Sequence, residues 1–427
     1  MSKRKVLIIC YYWPPAGGPG VQRWLKFVKY LPEFGIEPVV YCPENPSYPI
    51  IDESLVGEIP NDIIILKQPI KEPYGLANVF SKGRAKQISS GVIPKAKKQS
   101  IVERLMLYVR GNFFIPDARK NWVNPSVSFL SNYIKEHQIE TVITTGPPHS
   151  LHLIGLQLKA RFGIKWITDF RDPWTTIGYH KDLKLTKSSI AKHKSLESKV
   201  LNTTDHIIVT SNHTKNEFLT KTSQPVTVIT NGYDSHSVRV EGKDKKFTLS
   251  HIGSLLSERN PSILWEVLSE LVAENKAFSK AFQLNLIGVV SDDVIVSINQ
   301  YGLENHLIVL GYVSHQEAIA FQMKSQVLLL IEIDSEDTKA IIPGKVFEYL
   351  ISETPILAIG PKDSDVEQII TSTNTGTYFN YSQKQELKSQ VLKYFEAYQN
   401  NSFQLNGIGL QKYHRKALTK QLASLLN

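Results

Sequence analysis

Short apolar runs recur along this chain, each leading into a loop rich in glycine, proline or polar residues and then into a segment of helical period. The first cycle sets the pattern. Lys5 to Cys10 reads as a buried strand, Tyr11 to Gly20 as a rigid loop, Val21 to Phe34 as a helix with Trp24, Leu25, Val28 and Leu31 on one face, and Glu37 to Cys42 as the returning strand. A strand–loop–helix–strand opening of this kind belongs to doubly wound parallel sheets. Further strands are expected at Glu140–Thr145, Lys165–Asp169, His206–Thr210 and Val226–Ile229, with helices at Leu153–Phe162, Ser188–Leu201 and Ser211–Thr220. A second series follows, with strands at Phe247–Ile252, Gln283–Ile287, Leu307–Leu310, Val327–Ile331 and Ile356–Ile359. Its helices are expected at Ser262 to about Glu274, Val294–Tyr301, Leu387–Tyr398 and Leu410–Leu426. The expected organisation is an α/β domain over 1–236, a linker at Gly242–Lys246, a second α/β domain over 247–405 and a helix within 406–427.

Composition adds little to the fold and something to the partners. With 427 residues the chain can build two or three cores. The 49 Lys and Arg exceed the 40 Asp and Glu, and a net charge of +9 favours acidic ligands without choosing among them. Lys82 to Arg104 concentrates that charge, with Lys82, Arg84, Lys86, Lys95, Lys97, Lys98 and Arg104 against Glu103. Met106, Leu107, Tyr108, Val109, Phe113, Phe114 and Ile115 follow it. Basic then apolar-aromatic is the pattern of an anionic membrane surface contact, and equally of a solvated loop before a core helix. No recognised nucleic-acid module accompanies the charge, so no nucleic acid is expected. No run approaches 18 apolar residues, and the apolar stretch after Lys5 is too short for a signal peptide. A cytoplasmic protein, peripheral on the inner face of the membrane, is the expectation. Cys10 and Cys42 then read as buried free thiols, and the sequons at Asn202, Asn212 and Asn400 carry no meaning.

Candidate chemistry clusters after the strands. Around Ile342 to Gly360, a loop with Pro343 and Gly344 opens a helix bearing Val346, Phe347, Leu350 and Ile351 on its apolar face. Free amides and the positive helix end near Gly344 and Lys345 would suit an anion, with Glu348 one turn on in reach of a sugar hydroxyl. Phosphate donors beside a carboxylate are what a nucleotide-diphosphate ligand needs. In the first half, Gly146-Pro147-Pro148-His149 and Asp169-Phe170-Arg171-Asp172-Pro173-Trp174 follow successive strands, where open α/β sheets bind ligands. Arg171 and its aspartates read equally as a structural ion-pair cluster. The glycine loop offers Gly18 and Gly20 toward G-x-G-x-x-G, with Glu44 at the spacing of a ribose-binding acid, but Arg23 takes the third glycine's place and disfavours a dinucleotide oxidoreductase. Asp363-Ser364-Asp365 fits D-x-D formally; its place at a helix start favours capping, and no metal is expected.

Taken in order, these stretches resemble the retaining glycosyltransferases of the GT-B fold known as group 1 or family four. Pro14, Pro15, Gly17 and Gly18 are similar to that group's "P…GG" loop, "GPPH" and "DFRDPW" to its paired motifs, "NGYD" at Asn231–Asp234 to its domain junction, and "GYVSHQEA" to its "G-x-V-x-x-x-E" turn. The stretch from Lys345 through Phe347-Glu348-Tyr349-Leu350 resembles its donor-site segment. The resemblance implies two Rossmann-like domains facing a cleft, with the C-terminal helix crossing back to the first domain. It implies that Gly17, Gly18, Gly253, Ser254, Arg259, Gly344, Lys345, Val346 and Glu348 bind a nucleotide sugar, Arg259 and Lys345 at the diphosphate and Glu348 at the ribose. His149, Asp169, Arg171 and Asp172 would serve the reaction cleft and acceptor side. Two departures stand out. Ser254 replaces an arginine of the group, and Ala340 stands where the group has its first glutamate, with Glu336 and Asp337 the nearest acids.

The implied activity is transfer of a sugar from a nucleotide-diphosphate sugar to a glycan or lipid-linked acceptor with retention of configuration, without metal or other cofactor, in cell-surface polysaccharide synthesis. A nucleotide-sugar 2-epimerase on the same fold and a non-enzymatic two-domain binding protein are the alternatives. Conversion of the donor without acceptor would reveal the first, and binding without turnover the second.

Overall fold

A computed structural model describes residues 4–72, 101–235, 238 and 240–426. The chain divides into two compact units, Met1–Asn231 with Arg415–Asn427, and Gly232–His414. Most of the basic stretch at 82–104 lies outside the described residues. Gly242–Lys246, expected as a linker, belongs to the second unit. There the Asp244 amide donates to the Lys324 carbonyl at 2.8 Å, and the Gln326 side-chain amide donates to the Asp244 carbonyl at 2.7 Å.

The first unit is a seven-stranded parallel sheet built from β1 (Arg4–Ile9), β2 (Ile36–Pro43), β3 (Ile64–Gln68), β4 (Thr141–Gly146), β5 (Lys165–Phe170), β6 (His206–Val209) and β7 (Val226–Val228). Their order is β3-β2-β1-β4-β5-β6-β7. The second is a six-stranded sheet of β8 (Phe247–Ile252), β9 (Phe282–Ile287), β10 (Leu307–Leu310), β11 (Val327–Ile331), β12 (Ile356–Ile359) and β13 (Gly376–Phe379), in the order β10-β9-β8-β11-β12-β13. Every strand pairing is parallel. Each sheet therefore reverses its winding once, between β1 and β4 and between β8 and β11, and a crevice opens at such a point beyond the carboxyl ends of the strands.

Central strands covered on both faces favour apolar residues at every position, and β11 and β12 supply them. In β11, Val327, Leu329 and Ile331 join one apolar layer while Leu328 and Leu330 join the layer on the other face. β12 divides the same way, Leu357 and Ile359 against Ile356 and Ala358. Two elements of the first unit carry weaker signals and did not stand out in the sequence: the edge strand β3, and the helix Val123–His137, which covers the sheet with Val127, Leu130 and Ile134. The helix after the glycine loop spans Pro19–Tyr30 and tightens into a 3-10 turn at Leu31–Phe34, where Pro32 supplies no amide and Gly35 adopts φ 78°.

The helix Arg415–Leu426 joins the first unit, burying Leu418, Leu422, Ala423 and Leu426 in its core. Arg415 donates to the Gln22 side chain at 3.2 Å, and Lys416 pairs with Glu33 at 2.5 Å. Among the described residues no helix is long and apolar enough to cross a membrane.

Candidate functional site

In the second unit, charged groups gather past the carboxyl ends of β8 and β11. His251 is fully buried in β8, and Lys345 extends its ammonium to within 2.8 Å of His251 Nε2 and 3.0 Å of the Ile252 carbonyl. Burial, reinforced by the Arg259 guanidinium, depresses the Lys345 ammonium to about 7. Burial and the Lys345 charge likewise hold His251 neutral, well below the usual imidazole range. Among the described residues no carboxylate lies within ion-pair distance of Lys345, and the Arg259 guanidinium has neither an ion pair nor a hydrogen bond. Two neighbouring cationic side chains with no carboxylate in ion-pair contact form a site for an anion.

The backbone leaves room for that anion. Gly253 follows β8 with φ 108°, and Lys345 Nζ would sit 3.6 Å from a Cβ placed there. At Gly288, with φ 120°, a Cβ would meet the Gly253 carbonyl at 2.7 Å, so the loops after β8 and β9 lie against each other. Ser254 is exposed beside them. Gly344 precedes the helix Lys345–Leu350. That helix has six residues, too few for a strong dipole, so the attraction expected of its amino end comes instead from the Lys345 and Arg259 side chains. Val346 is packed wholly in the core. Glu348 accepts from Gln322 Nε2 at 3.0 Å and lies 3.9 Å from His315 Nε2, with a quarter of its side chain open.

Two polar residues of this region escaped the sequence reading. His251 was visible only as a break in an apolar strand. Glu332, just past β11, is 4% exposed; its Oε2 accepts from the Tyr378 hydroxyl at 2.7 Å and from Ser364 Oγ at 3.2 Å. Burial raises its carboxyl to about 7. Gly360 makes this niche possible, since a Cβ there would lie 2.3 Å from the Tyr378 hydroxyl and 2.5 Å from Glu332 Oε2. Ser364 also caps the helix Asp365–Thr373 by accepting from the Glu367 amide at 3.1 Å, which accounts for the D-x-D pattern as a capped helix start.

The first unit treats its charges differently. Asp169 at the end of β5 is fully buried. It accepts from Arg23 Nη2 at 2.8 Å, from Trp24 Nε1 at 2.8 Å and from Thr145 Oγ1 at 2.8 Å. Burial alone would raise its carboxyl, but Arg23 and these hydrogen bonds outweigh it and hold the acid below the usual range. Arg23 also donates to the Thr230 carbonyl at 2.7 Å. The residue that disfavours a dinucleotide motif is therefore the partner of Asp169.

Arg171 donates to the Pro147 carbonyl and lies 5.8 Å over the Tyr12 ring. Its Nη1 would be 1.7 Å from a Cβ on Gly20, so Gly20 is the glycine that makes space for it. Gly17 abuts Ile50, and Gly18 turns the chain into the helix with φ 102°. Asp172 is half-buried, and desolvation raises its carboxyl. His149, before the helix Ser150–Phe162, stacks on Trp174 at 5.0 Å with an interplanar angle of 3°. It is buried and neutral, with both ring nitrogens unpartnered, and lines a cavity of about 40 Å³ with Asp117, Trp174 and His193. His152 is a buried helix-face residue whose Nδ1 bonds to Thr144 Oγ1 at 2.9 Å.

The fold is GT-B. One similar structure is that of Anabaena Alr3699/HepE in complex with UDP, at a TM-score of 0.61 and 12% identity over 99% of both chains. A second is the sucrose-phosphate synthase from Thermosynechococcus elongatus, at 0.58 and 12% identity over 99% of this chain and 98% of that one. A third is WaaG, a glycosyltransferase involved in lipopolysaccharide biosynthesis, at 0.54 and 12% identity over 99% of both chains. At such identities the likeness concerns the GT-B fold alone. The sequence profile of Glycosyltransferase Family 4 matches residues 89–237, about a third of the chain. No curated protein matches the sequence.

Proposed function

We propose that the protein is a glycosyltransferase that moves a sugar from a nucleotide-diphosphate sugar to a glycan or lipid-linked acceptor, with retention of configuration and without a metal. The observation that carries this reading is the pair Arg259 and Lys345, neither in an ion pair with a described carboxylate, gathered beside the switch point of the second sheet. In this reading the two cations hold the diphosphate and take up the charge that develops on it as the sugar leaves, the task a metal performs elsewhere. Glu348, steadied by Gln322 and with a quarter of its side chain open, holds the ribose diol. Gly253 and Gly288 let the phosphates approach the backbone. The match of residues 89–237 to a glycosyltransferase family and the UDP bound to a structure of the same fold support the assignment.

In the first unit, His149 is a neutral donor and acceptor suited to a sugar hydroxyl, and Arg171 with Asp172 shapes the acceptor side. Asp169, saturated by its donors, acts as a positioning residue. No side chain is assigned as a covalent nucleophile. Thermal-shift titration with UDP, GDP, ADP and their sugar conjugates in chelator tests the donor site. One base should stabilise the protein selectively, with the shift lost in Glu348→Ala; no shift with any nucleotide overturns the reading.

The acceptor side of the reading includes an anionic membrane surface in cell-surface polysaccharide synthesis. The helix Ile101–Phe113 leaves Leu105 60% and Phe113 62% exposed, with Val109 between them at i+4 spacing and Arg104 alongside. Co-sedimentation with phosphatidylglycerol vesicles but not phosphatidylcholine vesicles is expected, lost in Leu105→Glu with Phe113→Glu. Equal retention of that double variant would remove the membrane from the proposal.

A further inference from the structure

A cavity of the second unit lies away from Arg259 and Lys345. It measures about 640 Å³, within the range of about 300–1,000 Å³ of small-molecule sites. Its walls come from the segments that enter β8, β11, β12 and β13, so it sits at the amino-terminal edge of the sheet, opposite the end that carries Arg259 and Lys345. The helix Lys384–Gln399 contributes Tyr394 and Tyr398, one turn apart, and the segment after it adds Phe403.

We propose that this cavity binds a neutral saccharide, at a site separate from the donor site. Three features select that chemistry. First, Tyr394 and Phe403 stand with ring centroids 6.1 Å apart at 38°, one continuous aromatic wall. A planar base held between two rings needs a gap of about 7 Å, twice a carbon–carbon contact, whereas a sugar packs its C–H face on a single wall. Second, the charges cancel: Lys243 and Lys245 are matched by Asp244 and Glu353. Lys243 already donates to the Glu353 carbonyl at 3.3 Å, and burial lowers its ammonium to about 8, so an anion gains little. Third, amide side chains face the wall. Gln326 is only 8% exposed, and its Nε2 is fixed on the Asp244 carbonyl. Its Oε1 takes no hydrogen bond from any described residue, which leaves an acceptor for a ligand hydroxyl. Asn401 and Gln404 at the rim add donor–acceptor pairs that match vicinal hydroxyls.

Saturation-transfer NMR on the full chain, with methyl α-glucoside, methyl β-galactoside and methyl N-acetyl-β-glucosaminide as probes and excess UDP present, tests the site. At least one glycoside should receive transfer, equally in wild type and in Arg259→Ala. Gln326→Leu, and independently Phe403→Ala at the rim, should weaken that binding at least tenfold. No transfer to any of the three, displacement by sulfate, or full binding by both cavity variants overturns the proposal. Because Arg259→Ala leaves this signal in place, failure of the donor site and failure of the cavity are separate results.

Discussion

Both sheets bring an arginine close to the carboxyl ends of their central strands, and the two arginines have opposite fates. In the first unit Arg23 is buried and spends its hydrogen bonds on Asp169 and the Thr230 carbonyl. In the second, Arg259 stands near Lys345 with no acid paired to either. A buried ion pair complete in itself fixes loops and has nothing left for a ligand, whereas unpaired cations cost stability unless an anion arrives. The contrast separates architecture from chemistry within one topology.

The largest test breaks the first arrangement and not the second. Arg23→Ala strands the Asp169 carboxylate in the core and should destabilise the first unit by about 3–5 kcal/mol, read by denaturant unfolding. Arg259→Ala should stay within about 0.5 kcal/mol of wild type while weakening a nucleoside diphosphate by roughly 10–100-fold, the worth of a hydrogen bond to a charged group. Equal stability losses would erase the distinction.

Next in size is Glu332, an acid buried against hydroxyls, where desolvation outweighs the nearby Arg259 charge. Its carboxyl rises from 4.5 to about 7 on folding, so the protonated form is favoured in the native state. That contribution is complete below pH 4.5 and lost as pH rises to 7. Relative to Glu332→Gln, wild type should therefore lose on the order of 3 kcal/mol between pH 4.5 and 7 and no more above it. A stability difference independent of pH would show that the carboxyl is not held neutral.

The smallest effect refines the cationic side. Lys345 loses its proton near pH 7 in the free protein, and a diphosphate would restore it. Affinity for a nucleotide sugar, whose diphosphate diester does not titrate in this range, should fall by up to about tenfold per pH unit above 7. Lys345→Arg, charged throughout and facing the same Arg259 and His251, should flatten the profile. A flat wild-type profile would mean that Lys345 stays charged without ligand.

The sequence displayed these regions unequally. Unbroken apolar runs such as Val327–Ile331 and Ile356–Ile359 announced central parallel strands, because burial on both faces favours apolar residues at every position. Edge strand β3 mixes exposed and half-buried residues and lacks that signal. Lys345 and Glu348 could be picked out because a loop, a helix and a strand follow in register. The partnership of Arg23 with Asp169 joins residues 146 positions apart, and no period or spacing encodes it. The Glu332 niche depends on an absent side chain at Gly360, which a sequence shows only as one more glycine. The attraction for an anion rests on side chains and not on a helix dipole, since helical period alone does not show that the element stops after six residues.

The placement of Arg415–Leu426 in the first unit has a consequence for synthesis. Those residues leave the ribosome only after the whole of the second unit. The amino-terminal half must wait, with the groove beside the helix Pro19–Tyr30 uncovered, while a later segment of the same polypeptide completes its own core. The order of translation and the order of completion are thus reversed: the unit begun first is finished last.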